Sequence, residues 1–307
     1  MAESSSPSWP RRMWEAVERY HGLCYSAPEP RQTATAAGLK GFWMNYFATR
    51  AAPLGPVGPE VVEATFFYYA PVRVRRAIPD AWSFSTPERI LAARYQGMDV
   101  ALRRVLGEEV GAARVAEAAD LARRAATHGH AMCRSLYAGW SSLAWPDEPH
   151  LTLWHACTLL REHRSGSHLI ALAAQGFDGC QSVVSQVAVD EGPRAWIHDE
   201  AGWTDEQAQV AVDALRQRGW LDDDGRATAA GREGRQAVER LTDELDATPW
   251  LVLDEAQRER LLELMAPLHR LIPQDDQLDW REIYGQNPGP AETGGVEQDT
   301  AEEHTAE

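Results

Sequence analysis

Lysine is almost missing: of the 30 basic residues only Lys40 is a lysine, a bias that fits a GC-rich coding sequence and carries no functional weight. Cysteine is also scarce. Cys24, Cys133, Cys157 and Cys180 stand far apart without a C-x-x-C pair, and they read as four small buried apolar residues rather than a disulfide framework. No apolar run approaches the ~20 residues that span a bilayer. The first ten residues lack the charged start and apolar stretch of a secretory signal. These two absences lead to the expectation of a cytoplasmic protein with no membrane partner. Neither G-x-x-x-x-G-K-[ST], G-x-G-x-x-G nor G-x-S-x-G occurs, so nucleotide-dependent and hydrolase chemistry have no support and no cofactor is expected.

What is present is a 307-residue chain, long enough for about two domains, with a formal net charge of −16. A body this acidic repels a phosphate backbone unless its basic residues gather on one face. Helical periodicity dominates, and alternating runs long enough for a sheet are missing. The reading is mainly α: an N-terminal helical domain plus a C-terminal winged helix-turn-helix with a small β-wing. By position this means a disordered lead-in over 1–10, a helical domain over 11–145 and a winged-helix domain over 146–250. A closing helix and extension over 251–284 and a disordered acidic tail over 285–307 follow. Expected helices include Arg11 to Tyr25, ended by Pro28 and Pro30, then Thr33 to Thr49, and one from Thr86 interrupted at Gly97. Another runs from His150 to Arg164, broken by Gly166. Asp190 to Gly202 reads as a polar loop anchored by Trp196.

The densest signal lies between Gly202 and Leu245. Thr204 and Gln207 form a capping box ahead of a helix whose buried face is Val210, Val212, Leu215 and Trp220. Asp222-Asp223-Asp224-Gly225 then suits a tight hairpin between two very short strands, and a further helix starts near Ala229. Helix, hairpin and helix in that order is the pattern of a winged helix-turn-helix.

The run from Leu215 to Gly231 resembles the "L-x-x-x-G-x-L … D-G-x-x-T-x-x-G" of MarR-like winged-helix proteins. A wider resemblance covers about residues 15–270. Arg50-Ala51-Ala52-Pro53-Leu54-Gly55, Ala77-Ile78-Pro79-Asp80-Ala81-Trp82, Leu153-Trp154-His155-Ala156 and Leu160-Arg161-Glu162-His163-Arg164 resemble an uncharacterised helix-turn-helix family of high-GC bacteria, labelled MarR-like. That family's pattern continues Gly-Asp-Gly-His, whereas this chain has Ser165-Gly166-Ser167-His168, without the acid. The resemblance implies a ligand-responsive transcriptional regulator with duplex DNA as partner. Gln207, Gln209, Arg216 and Arg226 are the candidate DNA contacts. Against them, the stretch from Asp190 to Arg226 carries ten acids and four arginines, which opposes counterion release.

The alternative is a small-molecule-binding or catalytic protein that uses the winged-helix scaffold without DNA. His155 and Glu162 are seven residues apart, close to two turns, and so share a helix face. Such a pair serves proton transfer, or a metal with His163 or His168 completing the set, or a structural network within the fold. The catalytic candidates are therefore His155, Glu162 and His168, and no spacing matches a specific metal signature. Aromatic clusters at Phe42-Trp43, Tyr46-Phe47 and Phe66 to Tyr69 serve either core packing or the wall of a pocket for a flat hydrophobic or aromatic ligand. Trp43, Tyr46, Arg50, Trp154, His155 and Arg161 are the candidate pocket residues. A homodimer through the N-terminal helices is a further expectation.

Overall fold

The computed structural model describes residues 8–190 and 195–272; the acidic tail and nearly all of the expected lead-in lie outside them. Fourteen α-helices are described. The first nine are α1 (Trp9–Ser26), α2 (Pro28–Ala36), α3 (Gly41–Ala51), α4 (Pro59–Thr65), α5 (Pro71–Arg75), α6 (Asp80–Phe84), α7 (Pro87–Leu106), α8 (Ala113–His128) and α9 (Ser135–Ser141). The rest are α10 (Pro149–Ala174), α11 (Gly179–Val189), α12 (Asp205–Gln217), α13 (Ala229–Asp246) and α14 (Glu255–Leu271), with a single π-helical turn, Trp196–Glu200, ahead of α12.

Several helices depart from expectation for local reasons. Pro28 does not end a helix but opens α2, since a first-turn proline lacks only an amide that would be unpaired anyway. The stretch from Thr33 to Thr49 is two helices, parted where Gly38 takes φ +113°. α7 continues through Gly97 and α10 through Gly166, because both glycines answer a close neighbour instead of breaking the helix. A Cβ on Gly97 would sit 2.5 Å from the Pro30 Cα, and one on Gly166 would sit 2.5 Å from the Arg134 Cγ.

The expected β-wing is not built from strands. Among the described residues the wing has one antiparallel bridge, Leu221 to Ala227. Its turn is closed by the Asp222 side chain, which accepts from the amides of Asp224 (3.0 Å) and Arg226 (2.8 Å). That local bonding takes up the turn's donors and ends the ladder after a single pair.

Two apolar cores result. The larger holds Val17, Tyr20, Phe47, Met98, Leu102, Ala122, Trp140, Trp154 and, from α14, Met265, with the first half of α10 running through it. The smaller holds Ala171 and Leu172 from the end of α10 together with Phe177, Val184, Ile197, Leu215, Trp220 and Val238. No described helix is long and apolar enough to cross a membrane.

Gly97→Ala should lower stability by about 1–3 kcal/mol, because the clash is with backbone that cannot rotate away. Gly22→Ala in α1, where a Cβ meets nothing within 4 Å, should raise it by up to ~1 kcal/mol. Urea unfolding of the two variants checks both signs.

Candidate functional site

α10 carries most of the candidate chemistry, and the structure separates residues that the sequence placed together. His155 and Glu162 share a face but lie about 10 Å apart along the axis, so each meets a different neighbour. The His155 ring takes a 2.6 Å hydrogen bond through Nδ1 with the Tyr95 hydroxyl and packs edge-on to Trp145. Glu162, 1% exposed, accepts from Arg50 Nε (3.1 Å) and Nη2 (3.0 and 2.9 Å) and from Arg161 Nη1 (3.3 Å). Burial alone would raise the Glu162 carboxyl, but the Arg50 and Arg161 guanidiniums hold it below the usual carboxylate range. His163 pairs with Asp246 at 2.8 Å, and His168 Nδ1 lies 2.8 Å from Thr242 Oγ1. No group of three or more metal-ligating side chains occurs among the described residues.

The candidate pocket residues divide in the same way. Arg50 donates to the Tyr46 hydroxyl at 2.7 Å, and Trp43 packs edge-on to Tyr46. Arg161 joins this group through Glu162. Trp154 stacks on His21 on the far side, within the larger core, beside His155.

The cleft lies next to this cluster, where the larger body meets α11, α13 and the π-helical turn. Tyr68 and His168, with ring centroids 6.3 Å apart, form a shared wall between two cavities of ≈ 250 Å³ each. One is lined by Arg11, Trp14, Arg161, Arg164 and Glu239. The other is lined by Tyr69, Ser182, Gln186, Trp196, Glu200 and Arg235. Arg235 is 4% exposed, donates to Gln186 and to Glu239, and leaves its Nη1 without a partner among the described residues. Burial raises the Glu200 carboxyl against the pull of Arg73. The second cavity thus offers aromatic walls, one buried donor unsatisfied among the described residues, and the Glu200 carboxyl.

The stretch leading into α12 is clamped to the body. The Ala70 amide donates to Ala201 O (2.8 Å), Arg73 Nη2 to His198 O (3.0 Å) and Trp203 Nε1 to Tyr68 O (2.8 Å). Trp196, the expected anchor, is 47% exposed at the cavity edge; Ile197, 5% exposed, is the residue that anchors the turn. The capping box predicted for α12 is present, with Thr204 accepting from the Gln207 amide and Gln207 accepting from the Thr204 amide.

A model of a helix-turn-helix family matches residues 10–278. The chain belongs to this helix-turn-helix family. No curated protein and no solved structure matches it. In α12 and the wing the four candidate DNA contacts are all engaged internally. Gln207 serves the cap, and Gln209 donates to Asp213 at 2.9 Å. Arg216 donates to the carbonyls of Asp222 (3.1 Å) and Asp223 (2.7 Å), pinning the wing, and Arg226 pairs with Asp224 at 2.6 Å.

Gln186, Glu200 and Arg235 escaped the sequence reading. For Arg235 a signal existed: it stands on the buried stripe of α13 with Gly231, Val238 and Thr242, where an arginine is out of place. Glu200 had none, since only the clamp to the body buries it.

Burial disfavours the imidazolium of His155 and of His168 and pulls each down to about 4; Arg123 adds to this at His155, while Glu239 opposes it at His168. The unfolded chain takes up these protons near pH ~6.5, the folded chain only near their lowered values, so stability falls as pH drops below neutral. His168→Gln should remove about 1–2 kcal/mol of the stability lost between pH ~7 and ~5, read by urea unfolding at both pH values.

Proposed function

We propose that this protein is a ligand-responsive helix-turn-helix regulator of the MarR-like type, with the cleft beside His168 as its sensor site. The observation that carries this reading is the composition of the second cavity. Its walls come from the body (Tyr68, Tyr69), from α10 (His168) and from three parts of the helix-turn-helix unit: α11 (Gln186), the π-helical turn (Glu200) and α13 (Arg235). A molecule bound there touches both sides of the joint that orients α12. A flat aromatic compound with a hydrogen-bond acceptor suits it: Tyr68 and Tyr69 supply faces, and the free Nη1 of Arg235 supplies the donor. Family membership supports duplex DNA as the partner class.

A second reading, a small-molecule-binding protein that does not engage DNA, is favoured by α12 itself. Its exposed face carries Asp205, Glu206 and Asp213, and Arg216 is committed to the wing. DNA binding therefore requires Arg216 and Arg226 to exchange their internal partners for phosphate oxygens, each such contact releasing about one counterion.

Fluorescence anisotropy with labelled duplex DNA, random and from the gene's own upstream region, across ~50 to 200 mM salt separates the two. The regulator binds with a sequence preference and a steep salt slope, and Arg226→Ala lowers that slope by about one unit. Absence of binding at the lowest salt overturns the regulator and leaves the cleft as a binding site only.

A further inference from the structure

A second buried arginine, Arg94, keeps one N–H without a partner among the described residues. Arg94 in α7 is 3% exposed; Nη1 donates to Thr49 Oγ1 (2.7 Å), Nη2 to Cys24 Sγ (3.2 Å), and Nε has no partner among the described residues. Burial raises the Cys24 thiol, so its sulfur is neutral. Among the described residues no carboxylate lies within ion-pair distance of Arg94. The acids nearby are spoken for: Glu162 by Arg50 and Arg161, Glu18 by Arg161 at 3.7 Å, and Glu29 on α2 by Arg104. Glu162 acts on Arg94 only through space, so the buried Nε stays a donor without an acceptor, and an anion's oxygen would supply one.

Beside Arg94 is a cavity of ≈ 40 Å³ walled by Tyr25, Phe42, Tyr46, Asn45 and Arg31. Arg31, on α2, likewise has no ion pair among the described residues. It lines the same cavity as Arg94, and the α2 backbone at Pro30 packs directly on Gly97 of α7. Asn45 donates its amide to Gly41 O at 2.7 Å, and its Oδ1 is buried with no donor. The pocket thus offers guanidinium donors and one acceptor that wants a hydrogen. At ~10–15 Å³ for each separate water it has room for about three waters, space that the five closely bonded non-hydrogen atoms of glycolate would fill.

We propose that this pocket binds a small 2-hydroxycarboxylate. The carboxylate takes the donors of Arg94 and Arg31, and the hydroxyl gives its hydrogen to Asn45 Oδ1. The site is separate from the cleft and does not depend on its role. Trp140 and Trp154 report on it, since the Arg94 guanidinium lies 5.5 and 5.4 Å from their ring centroids.

The test is tryptophan fluorescence of the full chain titrated with sodium glycolate, acetate or chloride at constant ionic strength. Glycolate should saturate, acetate should bind more weakly, and chloride should give no saturable change. Arg94→Gln should abolish glycolate binding, and Arg31→Gln, at the half-buried mouth, should weaken it about tenfold or more. Should Arg94→Gln fail to fold, Arg31→Gln decides. Equal saturation by chloride, glycolate affinity unchanged in Arg31→Gln, or no saturation by glycolate overturns the proposal. Arg235→Gln, which alters only the cleft, should bind glycolate like the parent, so loss of the sensor reading and loss of this site are told apart.

Discussion

One helix passes through both apolar cores, and the position of everything else follows from it. Over its first turns α10 is buried on every side, with Leu153, Trp154, Ala156, Cys157 and Leu160 all at 2% exposure or less. Over its last turns Ala171 and Leu172 belong to the smaller core. A continuous α-helix of 26 residues has no joint of its own, so the two cores are held by a stiff element. Further contacts between them come from α13 and from the stretch before α12. Those are the contacts that line the cleft.

The helix has a polar middle, where two arginines meet a glutamate. Arg50 and Arg161 converge on Glu162 away from water, and Arg94 sits close enough to help hold its carboxyl down. Removing either member of the Arg50–Glu162 pair would leave a buried charge uncompensated, whereas replacing both by apolar groups need not be costly. The pair is therefore weak evidence for stability as such. It fixes the register of α3 against α10, and the cation faces of Arg50 against Tyr46 and Phe66 extend that restraint into the aromatic cluster.

Much of the arginine content is spent inside or on internal partners, and this shapes the surface. Arg134 bonds Ser167, Arg164 bonds Asp243, and Arg216 braces the wing. What faces solvent around α12 is acidic. Association with a phosphate backbone is thus set by whether internal arginine contacts open, not by a basic stripe already in place.

The sequence by itself determined the elements with local causes. The helical class, the Thr86 cap and first-turn proline of α7, the Thr204–Gln207 capping box and the wing's Asp-rich turn all rest on bonds within a few residues. For the aromatic run ending in Tyr68 and Tyr69 the sequence left core packing and pocket wall both open, because spacing alone does not separate them. Only the tertiary structure decided which glycines break helices: Gly38 does, through its own backbone angle, while Gly97 and Gly166 yield to a distant proline and arginine. It also decided that His155 and Glu162 never meet, because a shared helix face says nothing about what packs at each level along the axis. The pairing of Arg235 with a cavity, and the lack of a carboxylate for Arg94, depend on which side chains arrive from far along the chain. Spacing encodes neighbours within a turn or two; the partners of a buried charge come from the way the helices pack.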